Sequence, residues 1–338
     1  YMVDMHEPLM FLHNLDTTIK EPFASNPAVL DAVEKNHKKL QITMTKLYPG
    51  NLVLSLSSGI MYHRLVDRIT ALNDVPREPL VPRRLGKNMC VPFGKILRGK
   101  VVPNTVTKTL HTDKVYEPDL NSFTIEPFPY YSPLKSQIET IKSFDRPVIL
   151  VDDLVHTANR LQVLVPQLRE DGIPIKKVVV GVLSGYGRDL MQCLKVPVES
   201  IYSMPNLRQW FVESTLYPFI GGDTVRREEM KVAGLQPSIN MILPYATPRL
   251  SGCSREALVE FSACCIENSR DLFQVLEAEY RKMYAKNLTL SRLSEAVILP
   301  LCPDKGSCME YDENLAASVY LENDLETLWR MKEFLIKG

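Results

Sequence analysis

The sequence predicts an α/β fold: a parallel sheet with crossover helices, followed by a mostly helical C-terminal region. Three observations carry this. Val148-Ile-Leu-Val151 and Lys177-Val-Val-Val-Gly-Val-Leu183 are short apolar runs without alternation, the pattern of strands buried on both faces. Each is followed by a polar or glycine-containing loop and then a helix-like segment, as in a sheet built from right-handed crossovers. From Val225 onward the character changes, and the apolar spacing becomes mainly helical.

Taken in order, residues 1–24 show no clear period and read as irregular. Ser25-Asn26-Pro27 reads as a helix start, a capping side chain followed by proline in the first turn, for a helix over Ala28 to Leu47 that Pro49-Gly50 ends. Asn51 to Leu56 reads as a strand, Ser57-Ser58-Gly59 as a tight turn, and Ile60 to Leu72 as a helix. A strand, a small-residue turn and a helix place backbone N–H groups where an anion can sit; an ordinary βα turn is the plainer account of this tripeptide. A loop over Asn73 to Gly86 precedes a strand at Asn88 to Phe93, ending in Gly94-Lys95. Ile96 to Tyr116 combines Arg98, Lys100, Lys108, His111 and Lys114 with many hydroxyls, and Thr105 to Leu110 alternates like half of a β-hairpin. Leu134 to Phe144 reads as a helix leading into the strand at Val148.

Asp152 and Asp153 follow that strand, then Leu154-Val155, a polar loop from His156 to Asn159, and a helix from Arg160 to Arg169. The first amides of a helix have no intrahelical partner and its dipole favours negative charge there, so the segment reads as an anion site. Carboxylates just before it call for a cation or sugar hydroxyls between them and a phosphate. Farther on, Ser184 to Asp189 reads as a βα turn, Pro205 to Asp223 gathers Trp210, Phe211, Tyr217 and Phe219, and Ser238 to Pro244 reads as one more strand. Ser254 to Asn287, Leu288 to Leu299 and Glu313 to Lys337 read as helices.

Composition excludes several classes. The 338 residues suffice for one large domain or two smaller ones, and the formal net charge is zero, without the positive field of a dedicated nucleic-acid binder. No apolar run approaches the roughly 20 residues that span a bilayer. Tyr1 to Leu15 lacks the basic stretch and long apolar run of a signal peptide, and the opening on Tyr1 leaves room for residues or a domain upstream. The seven cysteines form no CxxC pair; Cys302 and Cys308 are conceivable metal ligands, but scattered reduced thiols of a cytoplasmic protein are the simpler account.

The run Val148-Ile-Leu-Val-Asp-Asp-Leu-Val-His-Thr-Ala-Asn-Arg160 resembles the PRPP-binding motif of the type I phosphoribosyltransferases. That pattern is four apolar strand residues, two acids, two apolar residues and a Thr-Gly-rich loop for the 5′-phosphate. His156 stands where many members have Asp, Ala158 replaces the usual Gly, and Arg160 stands where a small hydroxyl residue is common. The resemblance covers roughly residues 46 to 200 and implies a Rossmann-like phosphoribosyltransferase core. It divides the chain into an N-terminal helical segment (1–45), a core with lid and hood (46–224) and a mostly helical extension (225–338).

By the resemblance, Mg²⁺-dependent transfer of phosphoribose from PRPP to a nucleobase-like small-molecule acceptor releases pyrophosphate. Asp152 and Asp153 would hold the ribose hydroxyls directly or through Mg²⁺, and Thr157, Ala158, Asn159 and Arg160 the 5′-phosphate. Ser57, Ser58, Gly59 and Lys95 would face the pyrophosphate, His156 would accept the acceptor's proton, and Lys108, His111 and Lys114 would belong to a mobile basic lid. Trp210 and Phe211 would stack in the acceptor hood. The helical region is left as an acceptor-site cap, a homodimer surface or a docking module, with no nucleic-acid or membrane partner expected. The rival reading keeps the fold and drops the reaction, giving a PRPP- or nucleotide-binding regulator. A receiver-like signalling domain explains the paired acids but not the Thr-Ala-Asn loop.

Overall fold

A computed structural model describes residues 4–82, 84–97, 99–227, 232, 234–248, 250–305 and 310–337. Arg98 and Cys308 lie outside the described residues. The chain forms two compact units, each assembled from separated segments: one from residues 1–55, 115–122 and 209–338, the other from 56–114 and 123–208. This differs from three consecutive domains, because β1, at Asp4–His13, pairs with β10, at Gln209–Val212, within the first unit.

The chain opens with β1 (Asp4–His13), where irregular structure was expected. Leu9 to Leu12 are almost fully buried, so the strand is covered on both faces and shows no alternation by which to recognise it. Helix α1 (Pro27–Leu47) starts as its sequence predicts, Asn26 accepting from the Ala28 and Val29 amides with Pro27 in the first turn. Strand β2 (Asn51–Ser57) leads into the second unit.

There the elements are α2 (Ser58–Leu72), β3 (Met89–Pro92), β4 (Val106–Thr107), β5 (Thr112–Tyr116), β6 (Phe123–Pro127) and α3 (Leu134–Lys142). After them come β7 (Val148–Val155), α4 (Asn159–Glu170), β8 (Ile175–Ser184), α5 (Gly185–Cys193) and β9 (Val198–Met204). The sheet order is β4-β3-β7-β8-β9, and every pairing is parallel. The core is the one the apolar runs predict: Val148, Leu150, Val178 and Val180 pack with Leu161, Leu164, Val165 and Leu168 of α4. Ser184 caps α5 by accepting from the Gly187 amide, so the Ser-Gly-Tyr-Gly stretch is a helix start rather than a loop.

The chain returns to the first unit with β10 (Gln209–Val212), the short α6 (Glu213–Leu216), β11 (Asp223–Val225), β12 (Gln236–Ile239), α7 (Arg255–Tyr284), β13 (Leu301–Pro303) and α8 (Ala317–Lys337). Strands β10, β1 and β2 form one sheet. Strand β12 pairs with β11 and β13, and β11 pairs with Val115 and Tyr116 of β5. The C-terminal region therefore carries strands as well as helices. Residues 288–299 hold a 3-10 turn at Leu290–Glu295 where a full helix was expected. Helix α7 packs against both α1 and α8, and Ser254 caps it by accepting from the Ala257 amide. No helix among the described residues is long and apolar enough to cross a membrane.

Candidate functional site

Chain order fixes where the second unit can hold a ligand. From β3 the chain moves outward to β4, whereas β7, β8 and β9 lie on the other side of β3. The loops leaving β3 and β7 therefore diverge, and in parallel α/β sheets a crevice opens beyond the strand ends at that switch point. A cavity of about 200 Å³ lies there, lined by Phe93 after β3, by Lys114 and Ile125, and by Asp152 and residues 154–161 at the end of β7.

Strand β7 runs four residues past Val151, with Asp152 opposite Val180 and Val155 opposite Leu183. Both acids thus lie within the strand rather than after it. Asp152 is only 4% exposed, and its Oδ1 accepts the Asp153 amide at 2.8 Å. Burial first, and the Asp153 charge second, push the Asp152 carboxyl well above its usual range, with Arg160 opposing them. The Arg160 guanidinium stands 3.8 Å from Asp152 Oδ2, and its buried Nε has no protein partner among the described residues.

The loop after β7 closes on Ala158, in the left-handed conformation (φ 49°) and with no side chain to cap α4. The first amides of α4 therefore have neither an intrahelical acceptor nor a capping oxygen from Ala158, and Ala158 to Leu161 line the cavity. An anion would satisfy them. Thr157 Oγ1 accepts from Asn159 Nδ2 at 3.0 Å, leaving its O–H to donate. An alanine in this backbone region costs roughly 1–2 kcal/mol, the cost a glycine escapes. Ala158→Gly is therefore expected to change stability by less than about 1 kcal/mol, while β-branched Ala158→Val loses about 2 kcal/mol, as urea unfolding would measure.

His156 Nδ1 lies 2.8 Å from Ser184 Oγ, which also takes the Gly187 amide at 3.0 Å. The Ser184 hydroxyl has one hydrogen and a second lone pair, so it can donate to Nδ1 or accept from it, and the role of each ring nitrogen follows the tautomer. Burial lowers the His156 pKa, favouring the neutral form. His156 lines the cavity, where the sequence expectation places a proton acceptor.

Other expected site residues are placed elsewhere. Ser57 caps α2 and accepts the Ile60 amide, Ser58 and Gly59 are the first residues of that helix, and β2 belongs to a different sheet from β7. Lys95 is exposed and is not in the cavity lining. The expected lid is built into the sheet: β4 pairs parallel with β3, the Lys108 and Leu110 amides bond to Cys90 and Pro92 carbonyls, and Leu110 is buried. Within the stretch 96–116, Val106–Thr107 and Thr112–Tyr116 are strand. Lys108 is exposed, His111 stacks on Tyr131 at 3.8 Å, and Lys114, 4.2 Å over the Phe123 ring, lines the cavity.

Trp210 and Phe211 belong to β10 in the first unit, opposite Met10 and Phe11; Phe211 packs against Phe261 in the core rather than offering a stacking face. The sequence reading missed Gly94. A Cβ on it would fall 1.5 Å from Asp152 Oδ1, so the missing side chain makes the seat of that carboxylate. A glycine right after a buried strand was the only signal.

No known family model matches the sequence, and no curated protein matches it. Among solved structures, the chain is similar to the crystal structure of purine phosphoribosyltransferase from Pyrococcus horikoshii Ot3. The identity is 12% and the TM-score 0.27, over 45% of this chain and 88% of that chain. The chemistry of the site therefore rests on its own residues.

Proposed function

We propose that the second unit binds PRPP and transfers its phosphoribosyl group to a small-molecule acceptor. The observation that carries this reading is the uncapped start of α4: its amides and the side chains of His156, Thr157 and Arg160 line one cavity with the buried Asp152 carboxylate. Thr157 O–H, Arg160 and the α4 amides supply donors for the 5′-phosphate. Asp152 supplies acceptors for ribose hydroxyls from the cavity wall; Asp153 is its neighbour outside that lining, and their negative charge suits a transition state with positive charge on the ribose. Their donor set also fits Mg²⁺: the two carboxylates repel one another, and a hard cation that keeps most of its waters relieves this. Mg²⁺ would neutralise charge developing on pyrophosphate as it leaves C1 and the acceptor bonds there. Lys114 is the lining cation that remains for the leaving group.

A second reading, binding without transfer, is favoured by one observation. Within the stretch expected to close over the reaction, β4 is paired into the sheet. Calorimetry with PRPP, with and without Mg²⁺, beside an assay of pyrophosphate release across nucleobase acceptors, separates the readings. Metal-dependent binding with release supports transfer, and binding without release across the panel supports the regulator. Absence of binding removes both.

A further inference from the structure

The first unit holds a second cluster, unrelated to the loop after β7. His13 ends β1, His37 lies on α1 and Glu213 opens α6, and one donor atom from each falls within 4.8 Å of the others. Both imidazoles turn Nδ1 toward the same oxygen: His13 Nδ1 is 3.3 Å and His37 Nδ1 3.7 Å from Glu213 Oε2. Two ligand atoms on a tetrahedral ion with bonds of about 2.0–2.1 Å lie about 3.3–3.4 Å apart. The two nitrogen–oxygen edges of the cluster, 3.3 and 3.7 Å, are near that spacing, and the third edge is within 4.8 Å.

We propose that His13, His37 and Glu213 form a binding site for a divalent transition-metal ion of the zinc class. An ion pair alone accounts for the group less well. The two rings lie 3.0 Å apart, centroid to centroid, so protonating both would set two cations against each other. His13 Nδ1 is within hydrogen-bond distance of Glu213 Oε2, at 3.3 Å, but His37 adds no such bond. His37 Nδ1 is in fact buried without a hydrogen-bond partner among the described residues. A metal ion satisfies both nitrogens and the carboxylate at once.

The surroundings are those a ligand set needs. His13 holds its other nitrogen, Nε2, 2.5 Å from Ser55 Oγ; with the ring hydrogen there, Nδ1 has the lone pair a metal ion needs. Tyr217 O–H donates to Glu213 Oε1 at 3.1 Å and itself accepts from buried Asn268, so Oε1 is anchored and Oε2 is left for the ion. Phe11 stacks on the His37 ring at 5.4 Å. The side chain of Glu213 is 1% exposed, but those of His13 and His37 are 21% and 20% exposed. The site is thus reachable, and the fourth position would hold water, as where a metal has three protein ligands.

The test is a titration of the chelator-treated full chain with Zn²⁺ alone, followed by calorimetry and by metal analysis after desalting. One equivalent is expected, retained in Asp152→Asn/Asp153→Asn. His37→Gln, at a half-buried position, is expected to weaken binding beyond the roughly 10–100-fold that outer-shell changes cost, and Tyr217→Phe to fall within that range. A Co²⁺-loaded sample should show the intense visible bands of a four-coordinate ion. No stoichiometric Zn²⁺ in wild type, or wild-type affinity in His37→Gln, overturns the proposal. Should His37→Gln fail to fold, a Zn²⁺-induced rise in Tm that His13→Gln lacks supports it, and an equal rise overturns it.

Discussion

Asp152→Asn is expected to make the chain more stable at neutral pH, by on the order of 1 kcal/mol, while it lowers PRPP affinity at least about tenfold. The two effects have one cause. The carboxylate is buried beside the Asp153 charge, and Arg160 at 3.8 Å only partly offsets this, so the folded chain holds the proton to a higher pH than the unfolded chain. Below the unfolded value near 3.9 both states carry the proton and no penalty exists. As pH rises past it the unfolded chain releases its proton first, and stability falls until the raised folded pKa is passed. Asparagine keeps the oxygen that accepts the Asp153 amide and removes the titration. Urea unfolding from pH 4 to pH 8 should show the two proteins diverging as pH rises, the variant the more stable. A variant less stable at every pH would mean that Arg160 and the Asp153 amide outweigh burial. A destabilising acid in a cavity wall is what a site built for binding, not for stability, retains.

How far the sequence made this site legible depends on the range of the interactions involved. The β7–loop–α4 unit is contiguous, and its apolar run, acids and helix start are all short-range signals, so Asp152 and residues 156–160 were found and do share one cavity. Sheet membership is not local. Asn51 to Leu56 and Asn88 to Phe93 both read as strands, yet only the second pairs with β7. What separates them is pairing between residues far apart in sequence, such as Cys90 with Ile149, which no period encodes. The same limit hid β1, whose neighbour β10 lies about two hundred positions downstream. It also made the stretch around β4, an edge strand of two residues, look like a lid. The His13–His37–Glu213 cluster shows the limit most plainly, since its members share no motif and meet only through tertiary packing.

Gly94→Ala is expected to cost about 3 kcal/mol and to abolish ligand binding at the proposed site. The added Cβ would lie 1.5 Å from Asp152 Oδ1 and 2.4 Å from its Cγ, so the carboxylate must leave its seat. Asp152 is held by the β7–β8 register, which places it opposite Val180, and a short side chain buried at 4% has little room to turn aside. Gly59→Ala supplies the contrast. That glycine lies in the first turn of α2, its Cβ would meet only Ser57 Oγ at 3.5 Å, and alanine in a helix is favoured by up to about 1 kcal/mol. One glycine-to-alanine change thus destabilises and the other stabilises. A double-mutant cycle isolates the cause. With Asp152→Ala already in place the clash is gone, and Gly94→Ala should then cost less than about 1 kcal/mol in urea unfolding. If the cost stays near its single-mutant value, the loop after β3 resists the methyl group on other grounds and Gly94 is not the seat of the carboxylate.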